Sequence, residues 1–133
     1  GDVGSVSIAF IILFALALLI IHTGEFLYIL FLAVYGVDSV LTIFVRLFNR
    51  ENIFEPHRSH AYQLLSNEKG LSHLTVTLFY TVIQFVINVA VICIIKVNIG
   101  LLGEIFFAAS ALLILSLSYL QIRVNLKSMI KPS

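Results

Sequence analysis

The sequence predicts an all-α integral membrane protein of about four transmembrane helices with one long cytoplasmic loop. Three observations predict it. Of 133 residues, 60% are hydrophobic and 11% charged, with a mean hydropathy of +1.08, whereas soluble domains carry roughly 25% charged residues. The apolar residues gather into four runs, each close to the roughly 17–25 residues that a helix needs to cross a hydrocarbon core. These runs are too long and too uniformly apolar for barrel strands, which alternate, and only helices and closed barrels satisfy their whole backbone in lipid.

The first run spans about Val6 to Ile21, short for a span, and can begin earlier, within Gly4-Ser5. His22-Thr23-Gly24-Glu25 makes a tight turn into the second run, about Phe26 to Phe48. A long polar loop follows, about Asn49 to His73. The third run is about Leu74 to Ile95, with Ser72 as its expected N-cap. Lys96 to Gly100 turns the chain into the fourth run, about Leu101 to Ile122, and a short basic tail closes it. Inside the loop, Pro56 suits the first position of a helix, where its missing N–H is no loss. The stretch from Pro56 to Leu65 reads as a short helix stopped before Gly70. Spaced three apart, His57 and His60 would share a face of it.

Orientation follows from Lys and Arg. The loop and its flanks carry Arg46, Arg50, Arg58 and Lys69, and the tail carries Arg123, Lys127 and Lys131; of the eight basic residues only Lys96 falls elsewhere. Two spans separate the basic groups, so both are expected in the cytoplasm. Two further spans bring Asp2 to the same face. The formal charge of +1 gives no pull toward nucleic acid. Cys93, the single cysteine, cannot form an internal disulfide and reads as a small apolar residue. The N-terminus lacks both Met and the basic region of a signal peptide. Its abrupt opening reads as a cut from something longer.

Several polar residues are candidates for chemistry. Asp38 lies ten residues from Phe48, or about 15 Å into its helix, and an acid at that depth is a functional candidate by default. Thr42 follows one turn later, and Arg46, two turns later, can reach back toward it. A structural ion pair or interhelical hydrogen bond is the competing role. The cluster Pro56-His57-Arg58-Ser59-His60-Ala61-Tyr62-Gln63 is the densest polar patch; imidazoles and a guanidinium at a helix N-terminus suit phosphate, and a solvated loop anchored by Tyr62 is the plainer alternative. Its spacing matches no zinc motif. Tyr80, Gln84 and Asn88 form a stripe expected to hydrogen-bond neighbouring helices, with Asn88 able to face Asp38. Ala108, Ala109, Ser110 and Ala111 allow close packing. Asp2, among glycines, could hold Mg²⁺ or cap the first helix. His22, Glu25, His73 and Glu104 are expected at solvated helix ends.

Gly1-Asp2-Val3-Gly4-Ser5, opening a transmembrane helix, resembles the Gly-Asp-x-Gly-Ser motif of the polyprenyl-phosphate N-acetylaminosugar-1-phosphate transferases (glycosyltransferase family 4). Val37-Asp38-Ser39, in a helix ending near Arg46, followed by Phe54-Glu55-Pro56-His57-Arg58-Ser59-His60, resembles the same family's Asp-containing helix and His-rich loop. The continuation Ala61-Tyr62-Gln63 is most similar to the O-antigen or capsule-initiating branch. The resemblance covers roughly the whole chain.

What the resemblance implies is transfer of a sugar-1-phosphate from a UDP-N-acetylhexosamine to a polyprenyl phosphate at the cytoplasmic face of the bacterial inner membrane, with Mg²⁺ as cofactor. It makes Asp2 catalytic and a metal ligand, and His60 a catalytic residue touching the phosphates. His57, Arg58 and Arg46 become substrate-binding residues, and Asp38 a secondary, structural acid. The sequence also departs from the family. Tyr62 and Gln63 stand where many members have further histidines. There is no Asp-Asp pair, since Asp2 and Asp38 are the only aspartates. The chain therefore reads as a C-terminal part, inactive alone. Two other classes stay open: a small four-helix transporter subunit using Asp38, and a membrane scaffold whose loop binds a partner.

Overall fold

The computed structural model describes residues 2–53, 60–67 and 70–130, and side chains within 3–53, 60–67 and 70–125. Four helical stretches are long and apolar enough to cross a membrane: Val3–Thr23, Phe26–Phe48, His73–Val97 and Gly100–Asn125. They turn large apolar side chains outward along their length, Phe106 being 78% and Leu74 79% exposed. Apolar surface that continuous requires lipid around it.

Helix α1 runs Asp2–Thr23. It stops at Gly24, whose φ of +74° is left-handed backbone that glycine adopts without cost, and whose N–H donates to the Ile20 carbonyl at 2.8 Å. The second span differs from its expected single helix. Phe26–Leu32 is a 3₁₀ helix, the chain breaks at Leu32 with φ −119° and ψ 17°, and α2 continues as Ala33–Phe48. A 3₁₀ helix has three residues per turn, so positions three apart eclipse. Leu27, Leu30 and Ala33 therefore line up, and all three are buried with Val91 in the main core.

Along α2, Val34, Asp38, Thr42 and Arg46 are buried. They recur every fourth residue, one helical face, and that face turns polar toward the loop. The helix ends in a Schellman motif: the Arg50 N–H donates to Leu47 O and the Glu51 N–H to Arg46 O. Arg50 occupies the left-handed position, φ +58°, where glycine is usual.

Helix α3, Ala61–Asn67, lies in the polar connection. Its expected start at Pro56 is outside the described residues, as is the shared face of His57 and His60. It runs two residues past the expected Leu65. Gly70 follows with φ +66°. Helix α4, His73–Val97, opens on Ser72, whose hydroxyl accepts from the Thr75 N–H at 3.1 Å, as expected of its N-cap. Asn98 closes α4 in left-handed conformation, φ 53°. Helix α5 is Gly100–Ile130, running past the expected end at Ile122.

The 3₁₀ segment and α4 pack against each other, α5 lies along α2, and α3 sits on α4 and α5 at the loop end. Ala108 reaches the main core, as its small size allows. Glu104 corrects an expectation: it is only 7% exposed rather than solvated.

Candidate functional site

The polar residues converge at the loop end, around the carboxylate of Asp38, which is 3% exposed. Helix α2 supplies the acid, and three elements supply donors. Oδ1 accepts from the backbone N–H of Ala61 at 2.9 Å and from the Thr42 hydroxyl at 3.3 Å. Oδ2 accepts from the Tyr80 hydroxyl at 3.2 Å and from the Tyr62 N–H at 3.4 Å. Taking a carboxylate out of water is costly unless its lone pairs are filled; here four donors fill them. Two are the first backbone N–H groups of α3, which have no partner inside their own helix. Asp38 thus caps a helix that is not its own.

A hydroxyl chain extends from this carboxylate. Thr42 Oγ1 and Tyr119 Oη lie 2.9 Å apart, and Arg123 donates to Tyr119 Oη at 2.7 Å. Thr42 has one hydroxyl proton, and Asp38 takes it. Tyr119 must therefore donate to Thr42 while accepting from Arg123. The order Arg123, Tyr119, Thr42, Asp38 is a run of donors pointing at one negative charge, in which each bond polarises the next. It ties α5 to α2 and, through Asp38, to α3 and α4.

His60 directly precedes α3, and its carbonyl accepts from the Leu64 N–H at 3.0 Å. Its Nδ1 lies 3.6 Å from Asp38 Oδ1, beyond hydrogen-bond distance but within reach of an ion pair when the imidazole is protonated. The ring stacks on Tyr62 with centroids 5.9 Å apart. The His60 side chain remains 22% exposed.

Arg46 was expected to reach back toward Asp38. Its guanidinium turns instead to the chain beyond α2. It pairs with Glu51 at 3.2 Å and donates to the carbonyls of Asn52 and Ile53, which holds the start of the loop against the helix end. The side-chain amide of Asn49 and then Arg46 hold the Glu51 carboxyl below its ordinary range.

The stripe on α4 divides its work. Tyr80 meets Asp38, whereas Asn88 does not face it and accepts from Gln84 at 2.7 Å. Gln84 also donates to Leu30 O at 2.9 Å and accepts from Val34 N–H at 3.0 Å. Beside it opens a cleft of about 380 Å³ lined by Tyr35, Tyr80, Thr81 and Asn88, among others. His73 is exposed at the start of α4, as expected, and its Nδ1 lies 3.0 Å from Ser66 Oγ, which joins α4 to α3.

Asp2 stands at the start of α1, but its side chain is outside the described residues, as are His57 and Arg58. Among the described residues no three His, Cys, Asp or Glu side chains gather as metal ligands. Asp38 is not arranged as a ligand, because hydrogen bonds already occupy both its oxygens. The described residues alone thus do not form a Mg²⁺ site. Tyr119 was missed in the sequence; its spacing of four from Arg123, on one face of α5, was the available signal. Comparison with protein-family models, with curated proteins and with solved structures returns no match for this chain, so its functional reading rests on the residues themselves.

Proposed function

We propose that this chain is part of a membrane transferase that moves a sugar-1-phosphate from a UDP-N-acetylhexosamine to a polyprenyl phosphate, in cell-envelope polysaccharide synthesis at the cytoplasmic face of the bacterial inner membrane. A phosphate oxygen of the lipid attacks the β-phosphorus of the nucleotide sugar. The bond from that phosphorus to the bridging oxygen breaks, UMP leaves, and a polyprenyl-diphospho-sugar remains.

The observation that carries this reading is the placement of His60. It sits at the start of α3, partly exposed, on a helix anchored through Asp38 to the end of the bundle. Phosphate chemistry needs donors held still at the membrane surface, because positioning and electrostatics supply nearly all of its catalysis. The motif resemblance at Gly1–Ser5 and at Asp38 through Gln63 supports the same reading. Arg58 and His57 join His60 as proposed phosphate contacts, Arg46 holds the chain at Glu51, Asn52 and Ile53, and Asp2 is the proposed Mg²⁺ ligand.

The test is exchange of radiolabelled UMP into UDP-sugars, with lipid phosphate and Mg²⁺ added to membranes. One arm carries this chain, and the other carries the extended chain of which this reading makes it a part. Exchange in the extended arm, abolished by Asp2→Asn and by His60→Ala, is the expected result. No exchange in either arm across several UDP-N-acetylhexosamines overturns the reading.

A further inference from the structure

We infer that Asp38 is a positioning residue, a cap buried within the membrane-spanning bundle that latches the short helix α3 and thereby sets where His60 stands. The geometry separates this role from acid–base or metal chemistry. Both carboxylate oxygens already accept hydrogen bonds, from Ala61 N–H, Tyr62 N–H, Thr42 and Tyr80. At 3% exposure the group is shielded from bulk solvent, and the cleft of about 70 Å³ beside it is lined mostly by apolar side chains, among them Val34, Ile83, Leu115 and Ile122.

The latch joins three elements at one pair of carboxylate oxygens. Thr42 belongs to α2 itself, Ala61 and Tyr62 open α3, and Tyr80 comes from α4. Through Thr42, Tyr119 and Arg123 of α5 hold the carboxylate from behind. A seven-residue helix is too short to persist in water unaided, so α3 depends on such external anchors. At its other end Ser66 donates its one hydroxyl proton to the Leu71 carbonyl and so accepts from His73 Nδ1–H, and Leu65 packs on Val76. Asp38 is the anchor at the end that carries His60.

What the latch requires is an acceptor at Oδ1, not a negative charge. Asparagine offers the same Oδ1 acceptor to Ala61 and Thr42 and caps helices as well as aspartate; its amide can donate to Tyr80 Oη, and only the long 3.4 Å bond from Tyr62 N–H is lost. Asp38→Asn should therefore behave like the parent, whereas Asp38→Ala should release the helix. A proton carrier, metal ligand or general base would lose its function with either change.

That His60 then meets phosphate rests on the transferase reading; the latch itself does not. Two measurements keep them apart. The first is hydrogen–deuterium exchange of the full chain in lipid nanodiscs, read on peptides covering 61–67, with peptides from 85–95 reporting that the bundle is intact. The expected result is about tenfold faster exchange over 61–67 in Asp38→Ala, near-parental exchange in Asp38→Asn, and an intermediate value in Tyr80→Phe. Parental protection in Asp38→Ala overturns the latch, and so does equal loss in Asp38→Asn and Asp38→Ala.

The second is UMP exchange with the extended chain. Asp38→Asn should keep kcat and KM near the parent, while Asp38→Ala raises KM and lowers kcat together. Loss of activity in Asp38→Asn with α3 still protected overturns the positioning role and makes Asp38 a chemical group. Absence of exchange in the parent itself refutes only the transferase, and the hydrogen-exchange result still decides the latch.

Discussion

The side-chain amide of Gln84 donates to the carbonyl oxygen of Leu30 at 2.9 Å and accepts from the N–H of Val34 at 3.0 Å. One side chain on α4 therefore serves both backbone groups at the junction where the second span changes from 3₁₀ to α. In lipid no water can take over a freed carbonyl or N–H, so the break exists because Gln84 is there to serve it. Replacing Gln84 with Leu strands both groups, and the expected cost is about 1–3 kcal/mol. Reversible unfolding in SDS-titrated bicelles measures it. Asn88→Ala removes only the neighbour of Gln84 and should cost about 0.6 kcal/mol. Equal effects from the two variants would show that Gln84 does not bear on the junction.

The second span shows what the sequence could and could not disclose. Its location follows from hydropathy, because lipid imposes one rule on every residue between Phe26 and Phe48. Its break does not, because Phe26–Leu32 is as apolar in one helical pitch as in the other. Only the alignment of Leu27, Leu30 and Ala33 toward Val91 decides between them, and that depends on α4, a helix beyond the polar connection. The site divides in the same way. Asp38 stands out by its depth in an apolar run, and Ser72 by its place before one. The partners of Asp38 do not stand out, because two are backbone N–H groups, which have no residue signature. Tyr119, separated from Thr42 by 77 positions, looks in sequence like any tyrosine near a helix end.

Arg50 holds left-handed backbone, φ +58°, at the position of the Schellman motif that glycine normally fills. A side chain there costs about 1 kcal/mol, offset in part by the freedom glycine adds to the unfolded chain. Arg50→Gly should therefore raise stability by up to about 1 kcal/mol in the same bicelle titration, with the helix boundary at Phe48 unchanged. Arg50→Val, β-branched, should move stability the opposite way. If both variants lose stability alike, the Arg50 side chain contributes contacts that outweigh its backbone strain.

Glu51 supplies a pH dependence with a defined sign. Asn49 and Arg46 hold its carboxyl below the ordinary value of 4.5, so the folded loop favours the ionised form. Such a group contributes stability above its unfolded pKa, and that contribution fades as pH falls through the lower folded pKa. The Arg46–Glu51 link should hold at neutral pH and loosen only in acid below about 4.5. Glu51→Gln should remove that acid-side slope while leaving the Arg46 bonds to Asn52 and Ile53 in place. NMR titration of the Glu51 carboxyl carbon reads the midpoint, and a midpoint above 4.5 would contradict the arrangement.

The donor chain from Arg123 to Asp38 predicts non-additivity. Thr42 is fully buried and Tyr119 is 4% exposed, so neither hydroxyl can exchange its partner for water. Tyr119→Phe removes the donor to Thr42 and the acceptor for Arg123, at an expected cost of about 1–2 kcal/mol. Thr42→Val removes the link between Tyr119 and Asp38 and should cost a similar amount. Because both changes break the same chain, the double variant should cost less than their sum, by about 0.5–1 kcal/mol. The double-mutant cycle is read on bicelle stability, and also on protection of 61–67. Coupling in the second readout would mean that α5 helps to hold the loop helix through Asp38. Strict additivity would mean that Tyr119 and Thr42 act on separate parts of the bundle, with α5 packing beside the latch without reinforcing it.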